Sequence, residues 1–70
     1  MKYYQFLKRI GYRIRFIRKQ RGMTQFILSQ QCGLNQNYIS DIENGKRNLT
    51  LLRLFNIAKA LDVEISELLQ

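Results

Sequence analysis

Residues 24–45 read TQFILSQQCGLNQNYISDIENG, and they describe two short helices joined by a tight turn. Thr24 suits an N-cap, because its hydroxyl can accept from an orphan backbone N–H two or three residues on. Ile27, Leu28 and Gln31 follow at helical spacing, so a helix is predicted over 24–32. Gly33 supplies the permissive backbone of a tight turn. Asn35 is a second N-cap for a helix over 36–44, in which Leu34, Ile39 and Ile42 face the core. Gly45 is its C-terminal stop. Small polar side chains, Asn35, Gln36 and Asn37, followed by Tyr38, therefore open the second helix.

Working outward, Phe6, Leu7, Ile10, Ile14 and Ile17 recur at three- and four-residue spacing, the pattern of one helical face. A helix is predicted over 4–21, with Gly22 ending it. Gly11 lies inside that run and weakens it by roughly 1 kcal/mol relative to alanine. The alternative is a start near Ile10, with residues 1–9 as a separate or frayed turn. Downstream, Thr50 caps a helix over 51–61 whose apolar face is Leu51, Leu54, Phe55, Ala58 and Leu61. A last short helix over 65–69 docks through Val63, Ile65, Leu68 and Leu69. No proline interrupts the chain. The expected fold is all-α, in one domain spanning 1–70 with its core at about 10–69.

Charge narrows the function. Twelve basic residues face five acidic ones, a net charge of +7. Lys2, Lys8, Arg9, Arg13, Arg15, Arg18, Lys19 and Arg21 crowd the first helix without an acid among them. Asp62, Glu64 and Glu67 lie near the C-terminus. One end of the molecule should carry a positive field, as a polyanion binder would; the bland reading is solubility. The single cysteine, Cys32, excludes an internal disulfide and a CxxC motif, and it reads as a small buried residue on the apolar side of its helix. The chain has no histidine, which removes the usual general base and the usual zinc sites. Without paired carboxylates in a pocket or a glycine-rich phosphate loop, an enzyme is not expected. No cofactor, metal or small-molecule ligand is indicated. No apolar run reaches about 18 residues, and the cytoplasm is the expected compartment. The strand pattern of aromatic RNA readers is missing. The exposed amides at the start of the 36–44 helix instead suit DNA base edges. Gln and Asn offer both donor and acceptor, so they pair bidentately with adenine N6 and N7, for about 1–3 kcal/mol of discrimination. On the residues alone, capping and solvating the helix is an equal reading.

Three linked segments then carry a resemblance: IRxxRKxxGMTQxxLxxxxGL, NxxYISxIENGKRN and TLxxLxxIAKALDVxxxELL. In this order and spacing the chain resembles the Cro-type helix-turn-helix family, also called the Xre family, over about residues 10–69. The resemblance implies a compact five-helix bundle of the lambda-repressor-like type, with helices 2 and 3 as the DNA-binding pair. The recognition helix of such proteins enters the major groove by its N-terminal part, which puts Asn35, Gln36, Asn37 and Tyr38 nearest the bases and Ser40 and Asp41 one turn further on. Asp41 has two readings, acceptance from cytosine N4 or repulsion from phosphate. The family likeness implies that Gln25 bonds a backbone phosphate and braces Gln36. It implies that Lys46, Arg47 and Asn48 run along the phosphates, with Thr24 and Tyr38 also within reach. Arg18 and Glu43 match an internal salt bridge of similar repressors.

Phe16, Phe26 and Leu52 depart from the family pattern, where charged or polar residues are usual, and Ser29 stands for a usual alanine. Phe26 reads either as simply exposed or as touching a thymine methyl or a sugar. Leu52 widens the apolar face of the fourth helix. Similar proteins often dimerise through helices 4 and 5, so a two-fold dimer through Leu52, Phe55, Ile65 and Leu69 is expected; the alternative is that Phe55 and Ile65 are only core. A dimer would meet a roughly palindromic operator with half-sites about 34 Å apart. At this length no ligand-sensing domain is expected, so regulation would rest on concentration and operator affinity, by excluding or recruiting RNA polymerase. Within the family, the controller proteins of restriction–modification systems look most similar, through small size, a basic first helix and a pattern like YISxIExGxRNxT. A phage Cro-like repressor is the second reading. The third is an antitoxin that also pairs with a protein partner through helices 4 and 5. Residues 1–9 extend the first helix, pack on a dimer partner or reach DNA.

Overall fold

The apolar stripe of the N-terminal segment forms one unbroken helix, α1 (Tyr3–Gln20), so the alternative start near Ile10 is not adopted. The computed structural model describes residues 1–70. It adds α2 (Gln25–Cys32), α3 (Gln36–Glu43), α4 (Leu51–Leu61) and α5 (Ile65–Leu68), with no strand. No helix is long and apolar enough to cross a membrane.

Gly11 explains how α1 survives its own glycine. A methyl group there would stand 2.3 Å from the Ile42 carbonyl oxygen and 2.7 Å from that of Glu43. Only a bare Cα lets the end of α3 lie directly on α1. The loss of about 1 kcal/mol in helix propensity is offset by this close approach.

The caps act where the side chains suggested. The Thr24 hydroxyl accepts from the Ile27 N–H at 3.0 Å. The Asn35 Oδ1 accepts from the Tyr38 N–H at 2.8 Å, and the Thr50 hydroxyl from the Arg53 N–H at 3.1 Å. Gly33 adopts φ 71°, the left-handed conformation that glycine takes without a Cβ penalty. It reverses the chain between α2 and α3, and the Leu34 N–H returns to the Ser29 carbonyl at 2.9 Å.

One core joins all five helices: Ile10, Ile14 and Ile17 of α1, Leu28 of α2, Ile39 and Ile42 of α3, Leu54, Ile57, Ala58 and Leu61 of α4, and Leu68 of α5. One expectation is corrected. In α4 the buried face contains Ile57, whereas Leu51 and Phe55 are 79% and 52% exposed. Outside the polar stripe of Arg53, Asn56 and Lys59 the segment LLRLFNIAKAL is apolar, so spacing alone fits two stripes, and packing against α2 and α5 selects one. In the two-turn α2, Leu28 is the residue that enters the core, while Ile27 is 40% exposed. Cys32 is half-buried, packed against the core, and burial raises its thiol pKa above the ordinary cysteine range.

The basic face of α1 also differs from a simple solvated surface. Arg13 Nε donates to the Glu67 carbonyl and Arg9 Nε to the Gln70 carbonyl, both at 3.0 Å. Arg21 Nε donates to the Leu61 carbonyl at 3.1 Å. The last carbonyls of a helix lack intrahelical partners, and a cation there is favoured by the helix dipole. Arg13 and Arg21 thus tie the first helix and its end to the C-terminal ends of α5 and α4, and Arg9 reaches Gln70 just beyond α5.

Candidate nucleic-acid interface

The site is the outward side of α2 and α3, and its position is set from below by one buried ion pair. Arg18 Nε donates to Glu43 Oε2 at 2.6 Å, and Nη2 donates to Glu43 Oε1 at 3.0 Å. The third direction of the guanidinium is used by Nη1, which donates to the Met23 carbonyl at 2.8 Å. Both residues are buried, so the fork fixes the end of α3 against α1 with paired charges rather than a lone one. A carboxylate in the last turn of a helix opposes the dipole; Arg18 compensates it.

Gln25, the first residue of α2, is half-buried, and its Nε2 donates to Glu43 Oε1 at 3.1 Å. Its amide nitrogen therefore braces the far end of α3 through Glu43, where the family likeness had implied a brace to Gln36 at the near end. Arg18, Gln25 and Glu43 form a single network linking α1, α2 and α3. No buried side-chain nitrogen or oxygen lacks a partner, so the scaffold under the site is fully satisfied.

At the opposite end of α3 the polar row stands free. Gln36 and Asn37 are exposed in the first turn of a helix that is held at its other end. The side chains differ in what they have left to offer. The Asn35 carbonyl oxygen already accepts its capping bond, which uses one of its two lone pairs and holds the amide to the cap. Bidentate adenine recognition needs a donor and an acceptor on one amide; Gln36 and Asn37 carry both on amides that no capping bond holds. Ser40 and Asp41 are half-buried.

Around Tyr38 the sequence concealed a cluster. The Arg53 guanidinium lies 4.6 Å from the Tyr38 ring centroid and that of Arg47 lies 5.0 Å from it. Arg53 Nη1 also donates to the Tyr38 hydroxyl, and that hydroxyl donates to the Asn48 carbonyl at 3.5 Å. Arg47 Nε donates to Asp41 Oδ2 at 3.2 Å. Asp41 thus has a third role beyond its two sequence readings, as partner of a cation of the same surface. Arg53 escaped the sequence reading because it sits in an apolar stretch, LLRLF. Its signal was that isolation: a lone cation at the start of a helix, with no acid in its first turn. Lys46 and Arg47 are exposed in the loop after α3, beside Asn48, and Thr24 is exposed at the start of α2. Asp41, Arg47 and Asn48 are thereby joined around Tyr38, with Arg53 added. Phe26 is exposed next to Gln25.

A second surface lies on α4 and α5. Leu51, Leu52, Phe55 and Leu69 are exposed, and Ile65 is half-buried beside a shallow apolar groove bordered by Phe55, Ala58 and Val63.

Known proteins are similar to this chain in sequence and in fold. Residues 14–68 match the family described as Helix-turn-helix (HTH_3). The control protein C.BamHI of Bacillus amyloliquefaciens is 43% identical over 60 residues, which covers 84% of this chain and 74% of that protein. The control protein C.MunI of a Mycoplasma species is 38% identical over 61 residues, covering 86% and 82% respectively. Among solved structures, the restriction-modification controller protein C.AhdI from Aeromonas hydrophila superposes with a TM-score of 0.92 at 35% identity, over 97% of this chain and 99% of that one.

Proposed function

This chain belongs to the helix-turn-helix family, and on that premise we propose that it is a DNA-binding transcription regulator of the restriction–modification controller type. It binds a roughly palindromic operator as a two-fold dimer and regulates its own promoter by occupancy, excluding or recruiting RNA polymerase. The observation that carries the reading is the exposed Gln36–Asn37 pair at the free end of a helix whose other end is fixed by Arg18 and Glu43. A rigid helix with complete amides at its tip suits major-groove readout.

Other residues take supporting roles. Asn35, Ser40 and Asp41 border the base-reading tip, Asn35 through its free NH2. Thr24, Gln25, Tyr38, Lys46, Arg47 and Asn48 flank it where phosphates would run, adding affinity without sequence information. The exposed Leu52, Phe55 and Leu69, with Ile65, supply the apolar face of the dimer. One domain offers a single short helix; two related by a two-fold axis offer two half-sites and the gain of two-site binding. The controller relatives support the choice among family roles.

The test is a gel-shift titration on the DNA upstream of the chain's own gene, with wild type beside Gln36→Ala/Asn37→Ala. Salt-sensitive binding tighter than to random DNA, lost in the double variant, is expected. Equal affinity for upstream and random DNA would refute autoregulation.

A further inference from the structure

We propose that Asp41 is an internal competitor for DNA phosphate: a carboxylate that holds Arg47 in the free protein and that a phosphodiester must displace. This rests on the DNA-binding reading and adds to it a device against indiscriminate binding.

Three observations lead there. Arg47 Nε donates to Asp41 Oδ2 at 3.2 Å, with the two side chains 52% and 38% exposed. The loop carrying Arg47 is tied to the helical turn carrying Asp41, because the Lys46 backbone N–H donates to the Asp41 carbonyl at 2.8 Å. The Tyr38 ring bears the guanidiniums of both Arg47 and Arg53, and Asp41 is the carboxylate that pairs with this cluster. Two cations and one anion leave it a single positive charge.

A carboxylate and a phosphodiester present similar oxygen pairs to a guanidinium, and both take the same charge-assisted bonds. An exposed pair such as Asp41–Arg47 contributes little net stability, so exchange of one anion for the other is feasible. On any duplex, Arg47 must first give up Asp41, which lowers its gain from that phosphate. Where α3 also meets matching bases, the base contacts supply the difference. Asp41 would then reduce affinity for random DNA while leaving a specific site well bound. Tyr38 and Arg53 act as positioning residues, keeping Arg47 near the groove edge in both states.

The linkage has a salt signature. Wild-type binding releases counterions from a phosphate at Arg47 but leaves Asp41 to recruit a cation. With Asp41→Asn that uptake disappears, and the slope of log K against log salt steepens.

The experiment measures binding of a random-sequence 30-base-pair duplex across a salt series by fluorescence anisotropy. It compares wild type, Asp41→Asn, Arg47→Ala and the double variant. Asp41→Asn is expected to bind about two- to five-fold tighter at low salt, with the steeper slope. In the Arg47→Ala background the same change is expected to do nothing, because Asp41 acts through Arg47. An equal gain in both backgrounds would mean diffuse charge repulsion and would overturn the proposal, as would unchanged or weaker binding by Asp41→Asn. Wild type that binds no duplex even at low salt would overturn the DNA-binding reading itself, a separate outcome. Thermal melting of each variant checks that the fold is intact.

Discussion

Replacing Gly11 with alanine sets two physical effects against each other, and the structure decides between them. In an isolated helix, Gly→Ala gains about 0.8–1.0 kcal/mol. Here the new methyl would lie 2.3 Å from the Ile42 carbonyl oxygen and 2.7 Å from that of Glu43. Carbon–oxygen contacts of this kind settle near about 3.3–3.6 Å, so α1 and the end of α3 would have to separate by roughly 1 Å. Neither obstacle is a flexible side chain; both are backbone atoms of a helix. Overpacking of a tight contact typically costs about 1–3 kcal/mol. The same separation strains the 2.6 Å Arg18–Glu43 bond, and a hydrogen bond to a charged group contributes about 1.5–3 kcal/mol. Overpacking less the propensity gain leaves about 1 kcal/mol, and losing roughly half of that charged bond adds about 1 more, for a net loss of about 2 kcal/mol. For a domain of this size that lowers Tm by on the order of 10 °C. Urea titration followed by circular dichroism reads the difference directly. A Gly11→Ala protein as stable as wild type, or more stable, would refute the argument: the α1–α3 contact would then relax freely, and propensity would rule.

Other outcomes follow from the same structure. Glu43→Ala leaves the Arg18 charge buried with only the Met23 carbonyl as partner, and the loss should reach about 3–5 kcal/mol, a large share of the stability of a small domain; calorimetry showing a loss below 1 kcal/mol would contradict the structural role of the pair. Leu52→Glu/Phe55→Glu alters side chains that are exposed in the single chain, so the monomer should lose no more than about 0.5 kcal/mol while the sedimentation coefficient falls from a dimer's to a monomer's; a wild type that sediments as a monomer at tens of micromolar would refute the dimer. Burial raises the Cys32 pKa, so the folded state retains its proton to higher pH than the unfolded chain. Stability from this group is therefore fully present below the unfolded thiol's pKa and declines as pH rises through it, and iodoacetamide at pH 8 should label native protein far more slowly than protein in urea; equal rates would show the thiol to be open.

Much of the molecule was legible along the chain because local chemistry is specific. Thr24, Asn35 and Thr50 are caps by virtue of short side-chain oxygens placed just before apolar periodicity, a relation that spans three residues. Gly33 marks its turn because few other residues adopt its backbone angle. The candidate site was half legible in the same way. Gln36 and Asn37 declare themselves by being complete amides at a helix start, and the family resemblance paired Arg18 with Glu43 across 25 positions. Residue type and spacing alone would not have made that pairing.

The remainder depended on faces and distances that a linear pattern does not contain. Periodicity showed α4 to be apolar but left open which stripe is inside, since Leu51, Phe55 and Ile57 are equal in hydrophobicity and differ only in direction. Gly11 read as a weakness until the carbonyls of α3 were seen against it. The arginines of α1 read as a solvated positive face, although Arg13 and Arg21 close the ends of α5 and α4 and Arg9 holds Gln70. The Asp41–Arg47 pair and the place of Arg53 emerged only when the loop after α3 brought Arg47 to the Tyr38 ring. By itself the sequence determined the helices, their caps, the turn and the polar tip, because those are settled by neighbours within a few residues. Tertiary structure decided which apolar face is buried and which anion pairs with which cation, because those depend on groups brought together from distant parts of the chain.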